Sequence, residues 1–283
     1  LFSIFPIQIH QVSGNTVSRK DDLLAVEAPL EIRLGFGKIT NRQQKSIAVT
    51  MRTPGHDFEL ALGFLYSEGI IQEASQVHSI KYCTDLGRQE SSENIVRVEL
   101  KSEIEVNLSG LERNFYATSS CGICGKASIE SIEKLGCPNI PIQNNLINHA
   151  VIFRLSKVLQ EQQRVFQYTG GLHAAGLFDK NGDILLLRED VGRHNALDKL
   201  IGASRNSHNL ALSDKIILVS GRLSFELVQK TIMAGVPVLV AIGAPSSLAV
   251  ELAQQFGLTL IGFLKNEYFN VYSGIERIQV SPL

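Results

Sequence analysis

At 283 residues the chain is long enough for one large or two ordinary domains, and folding at that length buries roughly three quarters of the unfolded surface. Its 44% hydrophobic and 19% charged residues exclude a disordered or low-complexity protein. With 27 basic against 28 acidic residues the formal net charge is −1, so no global basic field attracts nucleic acid or an anionic membrane, and any anion site has to be local.

The longest apolar run, around Val236 to Ile242, falls far short of the ~20 residues that span a bilayer. Residues 1 to 12, "LFSIFPIQIHQV", lack the basic start, continuous apolar stretch and small-residue cleavage site of a secretory signal. Four irregularly spaced cysteines make no disulfide framework, which places the chain in the cytoplasm with its thiols reduced at rest.

From about residue 22 to 116 the pattern is mostly strand-like. "SIAVTM" (46 to 51) is β-branched and apolar, and "NIVRVEL" (94 to 100) alternates with a period of two. One helix interrupts it: a Pro54-Gly55 turn precedes Asp57, apolar residues follow at Phe58, Leu62 and Leu65, and Gly69 is the stop signal. Residues 1 to 116 therefore read as a small α+β domain. Residues 117 to 144 read as a connector, with "SSCGICGKAS", a short helix through "KASIESIEKL" and the Pro-interrupted "GCPNIPIQNN".

Beyond it the rhythm becomes regular. A helix at about 145 to 163 precedes strands "HAAGLFD" and "ILLLRED", joined by the hairpin-like turn "DKNGD". Helices from Arg193, Ser224 and Ser246 then alternate with strands "KIILVSG", "VPVLVAI" and "TLIGFL". Strands alternating with helices of some ten residues imply crossovers and a buried sheet. Residues 145 to 283 thus predict an α/β three-layer sandwich with a mixed, mostly parallel sheet and one antiparallel pair. No internal repeat is present.

Ligands of open α/β sheets settle beyond the carboxyl ends of the strands. Four loops there, "REDVGRHN", "SGRLSFE", "IGAPSS" and "LKNEYFN", offer Arg193, His194, Arg222 and Lys265 beside Gly192, Gly221 and Gly243. Ser224 and Ser246 stand at helix starts. Cations, free backbone N–H groups and positive helix ends favour a phosphate or pyrophosphate, and the loops predict a nucleotide-like anion. No Walker A sequence and no G-x-G-x-x-G follows a strand, which leaves nucleotide hydrolysis and dinucleotide redox chemistry without support. Asp190 and Arg193 fit either a salt bridge at a strand end or direct ligand contact. In "YTGGLHAAGLF", Gly170 and Gly171 permit a tight approach before a strand and set His173 at its opening. His56, beside Pro54-Gly55, reads as a turn residue, and the remaining histidines as structural.

Cys121 and Cys124 stand three positions apart between glycines. A structural zinc site wants four ligands, but Cys83 and Cys137 are single and distant. The deaminase pattern H-x-E…P-C-x-x-C fails because Ala175 stands where Glu is needed and the cysteine pair precedes the histidine. A thioredoxin-like dithiol lacks its preceding βαβ start. Sulfur handling remains: a thiolate can attack a donor persulfide and carry the terminal sulfur outward, aided by Lys126 and mobile glycines at Gly122 and Gly125.

The stretches "SSCGICGKAS", "TGGLHAAGLF", "REDVGRHNALDKLIG", "SGRLSFELVQK" and "GFLKNEYFNVYSG", in that order and with "TPGHDFELALGFLYSEGII" before them, closely resemble the FdhD family, the sulfurtransferase accessory proteins of formate dehydrogenase. The resemblance covers nearly the whole chain and implies a cytidine-deaminase-like second domain without deaminase chemistry. It further implies that sulfur from a cysteine desulfurase is held as a persulfide on Cys121, helped by Cys124, and passed to the molybdenum (or tungsten) bis(molybdopterin guanine dinucleotide) cofactor required for formate dehydrogenase activity. Phe263, Leu264, Lys265, Asn266, Glu267 and Tyr268 match the family's cofactor-contacting segment. His173, Arg193, His194, Gly221 and Arg222 would line the same site, which a guanine nucleotide would also occupy. Glu267 is a departure, since an acidic side chain there repels pyrophosphate. A homodimer is expected on the same resemblance. The competing readings are a non-catalytic chaperone of the cofactor and a C-x-x-C dithiol oxidoreductase.

Overall fold

The computed structural model describes residues 3–83, 92–106, 137–141, 146–206 and 210–280. Cys121, Cys124, Lys126, the "KASIESIEKL" helix and most of the expected connector lie outside them, as does His208.

The chain opens with a hairpin, β1 (Ile4–Ser13) and β2 (Thr16–Ala25), paired from Ser13↔Thr16 to Ile4↔Ala25. Strands β3 (Ala28–Phe36), β4 (Gln43–Arg52), β5 (Val77–Tyr82) and β6 (Ile95–Leu100) form a second sheet in the order β4-β3-β6-β5. Helix α1 (Asp57–Ser67) lies on it. Alternate strand residues Leu30, Ile32, Leu34, Val96 and Val98 pack against Leu60, Ala61, Leu62 and Leu65 of α1.

The largest sheet comprises β8 (His173–Phe178), β9 (Ile184–Asp190), β10 (Ile216–Val219), β11 (Val238–Ala241), β12 (Thr259–Gly262) and β13 (Asn270–Ser273), ordered β13-β12-β11-β10-β8-β9. Two further short strands, β7 (Ile147–Asn148) and β14 (Ile278–Gln279), pair beside it. The helices are α2 (His149–Gln162), α3 (Arg164–Thr169), α4 (Arg193–Asn206), α5 (Phe225–Met233) and α6 (Ser247–Phe256).

Period-two alternation sorts the central strands onto two cores. Ile216, Leu218, Val238, Val240 and Ile261 face α2 through Ile152, Leu155 and Leu159. Ile217, Val219, Leu239, Ala241 and Leu260 face α4, α5 and α6. The three-layer α/β sandwich is therefore present. Its sheet is mixed, with parallel pairing confined to β10, β11 and β12 and antiparallel pairing at β8–β9, β8–β10 and β12–β13. Strands β9, β10, β11 and β12 run the same way, and the expected single antiparallel pair is corrected to three, because β9 returns through a tight hairpin, β8 therefore runs against β10 as well, and β13 reverses after β12 without a crossover helix.

Helix α1 is enclosed on both sides, by its own sheet and by α4. Gly63 and Gly202 let the two helices touch: a Cβ on Gly63 would run into Asp198 O, and one on Gly202 into Glu59 O. That double enclosure explains why Leu60 and Ala61 are buried while Phe58, part of the expected apolar stripe, is 38% exposed and stacks on Tyr82 at 4.8 Å. His56 is a turn residue in the left-handed region (φ 58°), immediately before α1. Among the described residues no helix is long and apolar enough to cross a membrane.

Candidate functional site

The carboxyl ends of β9, β10, β11 and β12 and the amino end of β8 meet along one edge of the large sheet, since β8 runs antiparallel to β10. Backbone hydrogen bonds stitch their loops together. Ser220 N donates to Ala174 O at 3.0 Å, Gly243 N to Gly221 O at 3.1 Å, Leu223 N to Ala244 O at 3.0 Å and Phe263 N to Gly243 O at 3.1 Å. With His173 paired opposite Asp190, the four sequence-predicted loops and the His173 strand opening are thus one continuous rim.

Two glycines keep that rim open. A Cβ at Gly221 would lie 3.4 Å from His173 Nδ1 and 3.5 Å from Arg193 Cδ, so these side chains flank the space that Gly221 leaves. A Cβ at Gly243 would lie 2.9 Å from Gly221 O and 3.0 Å from Arg222 Cα, so only glycine lets these loops approach.

Arg193 opens α4, and its Nε is buried without a hydrogen-bond partner. An unpartnered guanidinium nitrogen whose adjoining Cδ borders the Gly221 space suits an anionic ligand. The expected alternative, an Asp190–Arg193 salt bridge, is corrected: Asp190 pairs with Lys199, Nζ to Oδ2 at 2.7 Å.

Both histidines are held neutral. Burial lowers the His173 pKa, and the neighbouring Arg193 charge lowers it further. Burial, with Lys230 and Arg193 nearby, brings His194 down to about 4, while Glu226 pulls the other way. His194 Nε2 lies 3.1 Å from Ser224 Oγ and 3.9 Å from Glu226 Oε2. Ser224 and Ser246 are the N-caps of α5 and α6 as expected. The Ser246 hydroxyl accepts from Ala249 N, whereas Ser224 makes no side-chain cap and is occupied by His194 instead.

The segment after β12 is shaped by Phe263, a non-glycine residue at φ 54°, a conformation that costs a bulky side chain on the order of 1–3 kcal/mol. Its N–H bond to Gly243 O offsets part of that strain. Phe263, Lys265, Asn266, Glu267 and Tyr268 are exposed, and Lys265 Nζ lies 5.4 Å from the Tyr268 ring centroid. Leu264 is different. It is 2% exposed and packed in the core facing α2, with its N–H bonded to Ala241 O, so its side chain anchors the loop from below instead of meeting a ligand. Arg222 is exposed on the rim.

Of the two described cysteines, Cys137 is partly buried with Sγ 3.0 Å from Met233 Sδ, and burial pushes its pKa up to about 12, far from thiolate reactivity.

Sequence reasoning missed the groups that brace the rim from beneath. Ser220 Oγ accepts from Ala174 N at 2.9 Å. Asn195, Lys199 and Thr53 surround Asp190, and Lys230 bridges Asp198 at 3.0 Å and Glu68 at 3.3 Å. The buried polar residues of α4, Asn195, Asp198 and Lys199, break its apolar pattern, and that break was the available signal.

The sequence matches the model of the FdhD/NarQ family over residues 25–279. It is 47% identical over 270 residues to the sulfur carrier protein FdhD of Mycolicibacterium paratuberculosis, covering 95% of this chain and 96% of that one. It is 46% identical over 275 residues to the sulfur carrier protein FdhD of Streptomyces coelicolor, covering 96% and 94% respectively. A crystal structure of a candidate formate dehydrogenase accessory protein from Desulfotalea psychrophila superposes with a TM-score of 0.71 at 22% identity, over 98% of this chain and 99% of that chain, and shares its fold. With the family model spanning all but the first hairpin and the last few residues, the chain belongs to the FdhD/NarQ family.

Proposed function

We propose that the protein is a sulfurtransferase that accepts sulfur from a cysteine desulfurase as a persulfide on Cys121 and passes it to a bis(molybdopterin guanine dinucleotide) cofactor of molybdenum or tungsten, as formate dehydrogenase matures. Near-full-length likeness to sulfur carrier proteins supports sulfur transfer. The cofactor is cargo here, and its pyrophosphates and guanine nucleotides are the part that the sheet edge suits.

The observation that carries the reading is the joining of five segments into one rim around Gly221 and Gly243, with Arg193 Nε unpartnered beside it. The two imidazoles at the rim are neutral, so they accept or donate single hydrogen bonds without adding fixed charge, and Arg193, Arg222 and Lys265 supply the cationic groups. Glu267 is exposed and points the acidic departure toward solvent-accessible surface, leaving the loop backbone and Lys265 as the groups of that segment that suit an anion. A homodimer would offer one such rim to each nucleotide end of the cargo.

On this reading Cys121 carries the sulfane sulfur and Cys124 relays or resolves it. Complementation tests the assignment: in a host lacking its own copy of this gene, Cys121→Ala abolishes formate dehydrogenase activity although the enzyme accumulates. Full activity with Cys121→Ala would instead support a chaperone that only binds and shelters the cofactor. Efficient reduction of a protein disulfide by the purified protein would favour the dithiol oxidoreductase.

A further inference from the structure

The turn that carries Arg193 and His194 is held less by its own helix than by the other half of the molecule. Asp190, at the end of β9, is wholly buried. Its Oδ1 accepts from Gly192 N at 2.8 Å and from Asn195 Nδ2 at 3.1 Å, and its Oδ2 accepts from Thr53 N at 3.1 Å and pairs with Lys199 Nζ at 2.7 Å. Thr53 directly follows β4, a strand of the four-stranded sheet. The same contact is doubled around it: Lys199 Nζ donates to Thr53 O at 2.8 Å, Val191 N to Thr53 Oγ1 at 3.2 Å, Asn195 Nδ2 to Met51 O at 2.8 Å and Thr50 Oγ1 to Asn195 Oδ1 at 3.1 Å.

A buried ion pair contributes little net stability compared with apolar packing, but it fixes geometry strongly when every donor is satisfied. Here three of the four bonds to the carboxylate come from residues 192 to 199 and the fourth from Thr53 beyond β4, and the turn they fix places Arg193 beside the Gly221 space. We propose that Asp190 is the positioning residue of the anion site, locking the Gly192–His194 turn to the Met51–Thr53 segment so that Arg193 stays aimed at the rim. The four-stranded sheet thereby becomes part of the binding apparatus without touching ligand. This inference rests on the anion-site reading of the rim.

Charge alone predicts the opposite effect from positioning. Asp190→Asn removes a negative charge near an anion site, which electrostatically favours anion binding. Loss of aim weakens binding. Calorimetric titration of the full-length protein with guanosine diphosphate separates the two. The expected result is binding by the unaltered protein, with about tenfold weaker affinity in Asp190→Asn. In an Arg193→Gln background the same change should cost less than about twofold further, because Asp190 acts through Arg193. Thr53→Val, which removes only the acceptor for Val191 N–H and leaves the ion pair in place, should weaken binding about threefold and keeps the test open if Asp190→Asn does not fold. Equal or tighter binding in both single variants, or full additivity with Arg193→Gln, overturns the inference alone. An unaltered protein that binds no guanosine diphosphate overturns the anion-site reading and the inference with it.

Discussion

Gly63 and Gly202 face one another where α1 crosses α4, and each stands over a backbone carbonyl of the opposite helix. Alanine normally gains about 1 kcal/mol over glycine inside a helix. At Gly202 a methyl group meets Glu59 O with no room to yield, because backbone and not a flexible side chain is in the way. Overpacking of this kind costs about 1–3 kcal/mol or more, so the clash outweighs the propensity gain. Gly202→Ala should therefore lower Tm by several degrees in thermal denaturation. An unchanged or raised Tm would contradict the close crossing.

Arg52 and Asp57 form a second buried pair, Nη2 to Oδ2 at 2.8 Å, with side chains 0% and 2% exposed. Tyr82 Oη donates to the same carboxylate at 3.1 Å. Arg52→Met leaves that carboxylate buried without its charge partner, and such a change costs about 3–5 kcal/mol. Chemical denaturation should show a loss of that order. Because burial first, and then Asp57, raise the Tyr82 pKa to about 12, its phenol should also stay protonated in spectrophotometric titration up to about that pH.

His194 ionises at about 4 in the folded protein, against 6.5 for an unperturbed imidazole. Between those values the unfolded chain binds a proton that the folded one refuses, so stability rises with pH across this window. The contribution is complete above about pH 6.5 and is lost as pH falls toward 4, with His173 acting in the same direction. The groups facing His194 are Ser224, Glu226, Lys230, Arg193 and His173. In His194→Gln the fall of Tm between pH 6.5 and 4.5 should be shallower than in the unaltered protein. Identical slopes would mean that the imidazole is not kept neutral by its surroundings.

The second half of the fold was legible because its punctuation is local. Ser224 and Ser246 stand at the N-cap positions where expected, and Gly257 ends α6 in the left-handed region. "DKNGD" closes the β8–β9 hairpin with the Asp179 carboxylate accepting from Asn181 N at 2.8 Å and Asp183 N at 3.0 Å. The glycine and cation loops assembled at one edge because their strands are adjacent in the sheet.

What was illegible is long-range. Thr53 reaches Asp190 and Lys199 across more than a hundred residues of sequence, and no local pattern encodes such a pairing. Leu264 sits inside an otherwise exposed loop, in the same core as Ile261 three positions before it, because the left-handed backbone at Phe263 breaks the period-two alternation. The β1–β2 hairpin was missed for another reason. Its "SGNT" turn is a recognisable two-residue signal, with Gly14 at φ 56°, but the strands are exposed along almost their whole length and show no buried face to follow.

The most direct measurement follows one sulfur atom. The full-length protein is incubated with a cysteine desulfurase and cysteine, and the peptide bearing residues 121 and 124 is examined by mass spectrometry before and after addition of reductant. The account predicts the mass of one added sulfur on Cys121, removable by reductant and absent from Cys121→Ala. A protein that acquires no sulfur under conditions in which the desulfurase turns over would contradict it.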